Sequence, residues 1–270
     1  MTSVDAEVLR AVAGVAAAAG AAVALEWQRH ASDLHVEEKA ASDDLVSQAD
    51  REAEAAIRAV LVSHRPDDAI VGEETGTRAG TSGVCWLIDP IDGTTNYLYR
   101  RADWAVSVAA VDAADGSILA AVVAEPALAR VTEASLGRGT WVGSSSVPEL
   151  TQTDLRRALV DLNVGSPTQR PRFGAVTKAL VGRVRDVRRS GSAAAALAQV
   201  ATGRVDAAWL PGLQPWDCAA GLLLVAEAGG LVGDLAGCGP ARLPRSGDVL
   251  AAPPALWEPL RNLLRTAAVA

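Results

Sequence analysis

The chain has 270 residues, half of them hydrophobic, and a formal net charge of −7. That length suits one large domain or two closely packed subdomains with a sizeable core. The acidic balance argues against a general nucleic-acid surface, although an anionic small molecule can still bind where metal ions supply the positive charge.

Residues 4–30 read as an Ala-rich helix with apolar residues at helical spacing. Its core, 11–25, lacks the basic flank of a signal peptide and is short for a bilayer span, so a buried helix in a soluble, unanchored protein is expected. Residues 32–47 are polar and turn-like, and a second helix is predicted over 47–64. Ala69-Ile70-Val71 forms a short strand ending in Gly72-Glu73-Glu74, followed by a Gly/Thr/Ser loop over 75–83. Val84 to Ile88 is apolar throughout and reads as a strand buried on both faces. Pro90 should stop that strand. After a Gly-Thr-Thr-Asn turn, strands are expected at 104–112 and 117–125, joined at Asp115-Gly116, with a strand pair over 130–142.

From about residue 145 the pattern changes to strand 157–162, helix 168–182, strand 184–188, helix 192–203 and strand 205–209. Helix 216–229 stops at Gly229-Gly230, and a strand at 247–251 and a helix at 254–268 complete the chain. The expectation is an N-terminal α+β half, 1–146, followed by a C-terminal α/β half, 147–270. Cys85, Cys218 and Cys238 fit neither a disulfide framework nor a zinc pattern and point to a reducing cytoplasm. His30, His35 and His64 all precede the acidic motifs and read as surface or helix-end residues.

Carboxylates collect at strand ends and helix starts in four places: Glu73-Glu74, Asp89 with Asp92, Asp217, and Asp44 with Asp50. Uncompensated, they would repel one another and resist desolvation. Hard divalent cations such as Mg²⁺ resolve the conflict, because they select oxygen ligands. Asp89 and Asp92 stand three apart on a bend and can face one cavity, while the amides after Gly93 can meet a phosphate. Asp-Pro and Asp-Gly are also ordinary turn pairs, so the complete string is a far more specific signal than either pair alone.

The segment Trp86-Leu87-Ile88-Asp89-Pro90-Ile91-Asp92-Gly93-Thr94-Thr95-Asn96 resembles the first signature of the inositol monophosphatase family. Pro215-Trp216-Asp217-Cys218-Ala219-Ala220-Gly221, running to Glu227-Ala228-Gly229-Gly230, resembles the second. Gly72-Glu73-Glu74-Thr75 and Asp44-Leu45-Val46-Ser47-Gln48-Ala49-Asp50 are similar to two further family elements, in the family's order. The resemblance spans roughly residues 5–260. It implies a layered αβαβα sandwich, usually a homodimer, and hydrolysis of phosphate esters that depends on Mg²⁺ and is inhibited by Li⁺.

Carried over by position, Glu73, Asp89 and the Ile91 carbonyl would hold one Mg²⁺. Asp89, Asp92 and Asp217 would hold a second, Glu73 would share a third, and Mn²⁺ could substitute. Gly93 and Thr94 amides would bind phosphate, and Thr94, supported by Asp50, would orient the attacking water, as would Glu73. Lys39 falls near the anion site, and Gly191-Ser192-Ala193 matches a stretch that contacts substrate hydroxyls. Trp86 and Trp216 read as wedges holding the carboxylates in place.

Inositol 1-phosphate is the leading substrate by this resemblance. The chain departs from the pattern at Leu210, where inositol-specific members commonly carry a Glu that contacts a substrate hydroxyl; Gln214 is a candidate replacement. Fructose 1,6-bisphosphate, histidinol phosphate and 3′-phosphoadenosine phosphate are substrates of other branches. Arg100 and Arg101 could serve a second phosphate or lie on the surface, and the basic loop 163–172 could shape the pocket. Some members of the family also have a regulatory role with the transcription machinery. No nucleic-acid or membrane partner is expected for this chain.

Overall fold

Helix α1 (Ala6–Arg29) is long and apolar enough by composition to cross a membrane. In the computed structural model it instead lays Leu9, Ala13, Ala16, Ala17 and Ala24 into a protein core. The structure describes residues 5–29, 36–38, 45–163, 170–239, 241–244 and 246–269. After α1 come β1 (Val36–Glu38), β2 (Leu45–Ser47), α2 (Gln48–His64), β3 (Ala69–Gly72), β4 (Gly76–Arg78) and β5 (Val84–Asp92). The short α3 (Thr94–Leu98) precedes β6 (Ala105–Asp112), β7 (Ile118–Glu125), β8 (Arg130–Ser135), β9 (Thr140–Val142) and β10 (Ser145–Ser146). Next are β11 (Leu159–Leu162), α4 (Arg170–Leu180), β12 (Asp186–Arg188), α5 (Ala193–Ala201), β13 (Ala207–Leu210) and α6 (Pro215–Glu227). β14 (Leu231–Gly233), β15 (Cys238–Gly239), β16 (Val249–Ala252) and α7 (Pro254–Val269) end the chain.

The strands form an eight-stranded sheet, β10-β9-β8-β7-β6-β5-β3-β4, and a six-stranded sheet, β12-β11-β13-β16-β14-β15. Side chains alternate across each strand, so one strand serves two cores. Trp86 and Ile88 of β5 face α1 and α2, whereas Leu87 faces α5 and α6. Ala208 and Leu210 of β13 meet α5 and α6 from the other side, and Ala207 and Trp209 turn outward to α4 and α7. The layers are therefore α1/α2, large sheet, α5/α6, small sheet, α4/α7: an αβαβα sandwich. The middle helices are covered on both sides, which explains why α5 consists almost entirely of buried Ala, Leu and Val.

Several local expectations change. The stretch 32–47 contains β1 paired antiparallel with β2, and the loop 75–83 contains β4, which pairs with β3 at the sheet edge. β5 does not stop at Pro90. The register runs from Asp89↔Ser107 to Asp92↔Ala105, so three steps on β5 oppose two on β6. This bulge absorbs Pro90, which has no N–H to give to the ladder. The Thr94-Thr95-Asn96 turn is the start of α3, and β14 and β15 were not anticipated.

Candidate active site

β5 delivers Asp89 to the face of the large sheet that meets the middle helices. β5 continues past the bulge to Asp92, and Gly93, at φ 94°, then turns the chain into α3. A side chain at Gly93 would be strained by that φ and would press within 3.1 Å of Ser192 Cβ. Asp89 Oδ1 accepts a hydrogen bond from Ile91 N at 3.0 Å, which holds the bend from within. Asp217 lies in the first turn of α6, where its Oδ2 accepts the Gln214 N–H at 2.8 Å. Ser107 on β6 donates to the Trp216 carbonyl at 3.1 Å and so fastens that helix start to the sheet beside Asp89.

One ligand oxygen from each of Glu73, Asp89 and Asp217 lies within 4.8 Å of the other two. Asp89 is 1% exposed. Burial, and then the charges of Glu73, Asp92 and Asp217, push its carboxyl well above the usual range. Asp92 stands beside this group. Its Oδ2 accepts Ser192 Oγ at 2.5 Å and Ala194 N at 2.6 Å, at the start of α5. Burial still outweighs these hydrogen bonds and raises the Asp92 carboxyl to about 7. The four carboxylates line a cleft of about 190 Å³ with Ile91, Gly93, Thr94, Thr95, Gly191 and Ala193. Among the described residues no Lys or Arg lines it. An all-oxygen donor set whose charges oppose one another fits a hard divalent cation.

Other candidates distribute unevenly. Thr94 lines the cleft, and its Oγ1 donates to the Ile91 carbonyl at 3.2 Å. Asp50 is buried at the start of α2, and its charge reaches Asp89. Ser192 caps α5: its hydroxyl accepts Ala195 N at 3.1 Å while donating to Asp92. Only Gly191 and Ala193 of that trio line the cleft. Lys39 and Asp44, with His30 and His35, fall outside the described residues, whereas His64 is exposed. Trp216 precedes Asp217 in α6 and packs half-buried against the middle core. Trp86 faces the opposite side of the sheet and donates to Asp68 at 2.9 Å, so it does not wedge Asp89.

Leu210 is buried in the middle core rather than at the cleft, and Gln214 is exposed. Leu213 and Asn163 do line it. Within the loop 163–172, residues 164–169 lie outside the described set, and Arg172 pairs with Asp248 at 2.6 Å. Arg100 and Arg101 are exposed, with Arg101 paired to Asp103 at 2.9 Å.

The sequence reading missed Asn163, Leu213 and the role of Asn96. Asn96 Nδ2 donates to the carbonyls of Asp103 at 2.5 Å and Ser190 at 2.7 Å, which ties α3 to the loop before α5. It also missed Glu54, a wholly buried carboxylate on α2. The signal was present, because Glu54 adjoins the apolar series Ala49, Ala53, Ile57, Leu61 on the buried face of α2.

The model of the inositol monophosphatase family matches residues 5–268. The chain belongs to the inositol monophosphatase family. The inositol-1-monophosphatase of Rhizobium meliloti is 41% identical over 203 residues, 73% of this chain and 74% of that protein. The Nus factor SuhB of Xylella fastidiosa is 40% identical over 218 residues, 79% of this chain and 77% of that protein. The crystal structure of the extragenic suppressor protein suhB from Bartonella henselae matches with a TM-score of 0.90 at 30% identity, covering 96% of this chain and 98% of that one. Inositol monophosphatase family membership and these neighbours support a phosphatase.

Proposed function

We propose that the protein hydrolyses a small phosphate monoester in a Mg²⁺-dependent reaction, with inositol 1-phosphate as the leading substrate. The observation that carries this reading is the convergence of Glu73, Asp89 and Asp217, from three separate stretches of chain, within 4.8 Å. In this reading the half 1–146 contributes Glu73, Asp89, the Ile91 carbonyl and Asp92, and the half 147–270 contributes Asp217. When bound, two or three divalent ions cancel the repulsion between the phosphate dianion and the incoming oxygen and stabilise the leaving alkoxide.

The remaining work falls to the chain itself. The Gly93 and Thr94 amides, at the cleft wall, donate to phosphate oxygens. Thr94 and Glu73 orient the attacking water, with Asp50 behind them. Ser192 and the α5 amides hold Asp92 at a fixed angle, so that its remaining oxygen is directed rather than mobile. Gly191 and Ala193 leave room for the alcohol portion, and Leu213 and Asn163 give it one apolar and one amide surface. The protein works in this reading as a cytoplasmic homodimer, sensitive to Li⁺ and able to use Mn²⁺.

Release of inorganic phosphate from a panel tests this. The panel holds inositol 1-phosphate, fructose 1,6-bisphosphate, histidinol phosphate and 3′-phosphoadenosine phosphate, each with and without Mg²⁺. The expected result is Mg²⁺-dependent release that is fastest with inositol 1-phosphate. A preference for another ester moves the protein to a different branch. The Xylella fastidiosa relative named as a Nus factor favours a second reading, a regulatory binding protein of the same fold. Absence of turnover on every ester would leave that second reading standing.

A further inference from the structure

Glu73 sits in a three-residue turn, Glu73-Glu74-Thr75, between β3 and β4. β4 is three residues long, largely exposed, and at the edge of its sheet, so the ladder alone fixes this turn weakly. A stronger tether comes from α2. The Glu54 carboxylate, 0% exposed, accepts Glu74 N at 2.7 Å on one oxygen. The other oxygen accepts Thr75 N at 3.0 Å and Thr75 Oγ1 at 2.5 Å. Arg58, one helical turn on, donates Nε to Glu54 at 2.8 Å and donates from Nη2 to the Gly76 carbonyl. A Cβ at residue 72 would lie 2.6 Å from the Glu54 carboxyl group, so only Gly72 admits this contact.

We propose that Glu54 is a positioning residue for the metal site: it grips the amides on the C-terminal side of Glu73 and so holds the Glu73 carboxylate opposite Asp89 and Asp217. This rests on the metal-site reading given above. A buried charge is costly unless fully hydrogen-bonded, and here most of its bonds go to the turn that bears a ligand. An amide cannot replace it. Gln accepts on one oxygen only, and its NH₂ would face either the Glu74 N–H or the Thr75 and Arg58 donors.

The test is Mn²⁺ binding to the metal-free full-length protein, followed by isothermal titration calorimetry, with circular dichroism as the check on folding. Glu54→Gln is expected to weaken Mn²⁺ binding by about tenfold or more, the scale seen when partners behind a metal ligand are lost. In a Glu73→Gln background the same change should have little further effect, because Glu54 acts through Glu73. A general structural role would give the same loss in both backgrounds, and that result, or unchanged affinity in Glu54→Gln, overturns the inference. Wild-type affinity in Glu73→Gln alone would overturn the metal-site reading along with it. Should Glu54→Gln fail to fold, Thr75→Val removes one of the hydrogen bonds from an exposed position. Several-fold weaker Mn²⁺ binding supports the inference on the scale of one lost hydrogen bond, and unchanged binding overturns it.

Discussion

At the scale of single residues, Asp89 carries the greatest electrostatic load, because it is the most buried of the three converging carboxylates and feels each of the others. Replacing it with Asn removes a buried group whose ionisation opposes folding in the absence of metal and, in the proposed reading, supports catalysis in its presence. Asp89→Asn should therefore keep a metal-free unfolding midpoint at least equal to the wild type. Turnover should fall on the order of 10³-fold or more, since ion-mediated charge stabilisation is worth several kcal/mol. Thermal melts and phosphate release measured on one preparation check both halves.

The raised carboxyls also predict a pH dependence. Asp89 and Asp92 bind protons more tightly folded than unfolded, so their contribution is fully present below the ordinary carboxyl range near ~4. It is lost as pH rises, for Asp92 through about 7. The metal-free protein should lose stability between pH ~4 and ~7 through Asp92, with Asp89 acting in the same direction, and Mg²⁺, which in the proposed reading binds the ionised forms, should restore more at the upper end. Melting curves in chelator and in Mg²⁺ at the two pH values read this directly.

At the scale of elements, the site depends on how closely α5 and α6 approach. A Cβ on Gly221, one turn after Asp217, would stand 2.3 Å from Leu197 Cβ. α6 cannot yield freely, because Glu227 at its end accepts the Gly137 and Gly139 amides at 2.7 and 2.8 Å. Gly221→Val should cost about 2–3 kcal/mol by overpacking. Because α6 carries Asp217 and α5 holds Asp92, it should also weaken Mn²⁺ binding. Denaturant unfolding and calorimetry separate the two effects.

Elements were largely legible in the sequence where one periodicity ruled. α1, α2 and α7, the Asp115-Gly116 hairpin and the apolar β6 and β7 all fall close to their expected positions. The departures have local causes. Pro90 was read as a stop because its lack of an N–H matters in a regular ladder, and a bulge removes that requirement. β4, β14 and β15 are short strands whose pairing partners, not their own residues, make them strands. Trp86 was placed beside Asp89 by chain proximity, whereas the alternation of β5 sends the two to opposite faces.

At the scale of the molecule, the layering explains why distant residues meet. The large sheet presents Glu73, Asp89 and Asp92 at one end, and the middle helix layer brings Asp217 and the Ser192 cap onto the same cleft. The carboxylates were legible as motifs, but their convergence was legible only through the family resemblance, since in physical terms it requires both sheets to close on α5 and α6. In the proposed reading, the same geometry would make bound ions part of the fold's stability, because they would neutralise charges that the chain alone leaves opposed.

The most direct measurement is anomalous diffraction from crystals soaked in Mn²⁺. The account predicts density for at least one ion among the carboxylates of Glu73, Asp89 and Asp217. An empty cleft at saturating Mn²⁺, or ions bound only elsewhere, would contradict it.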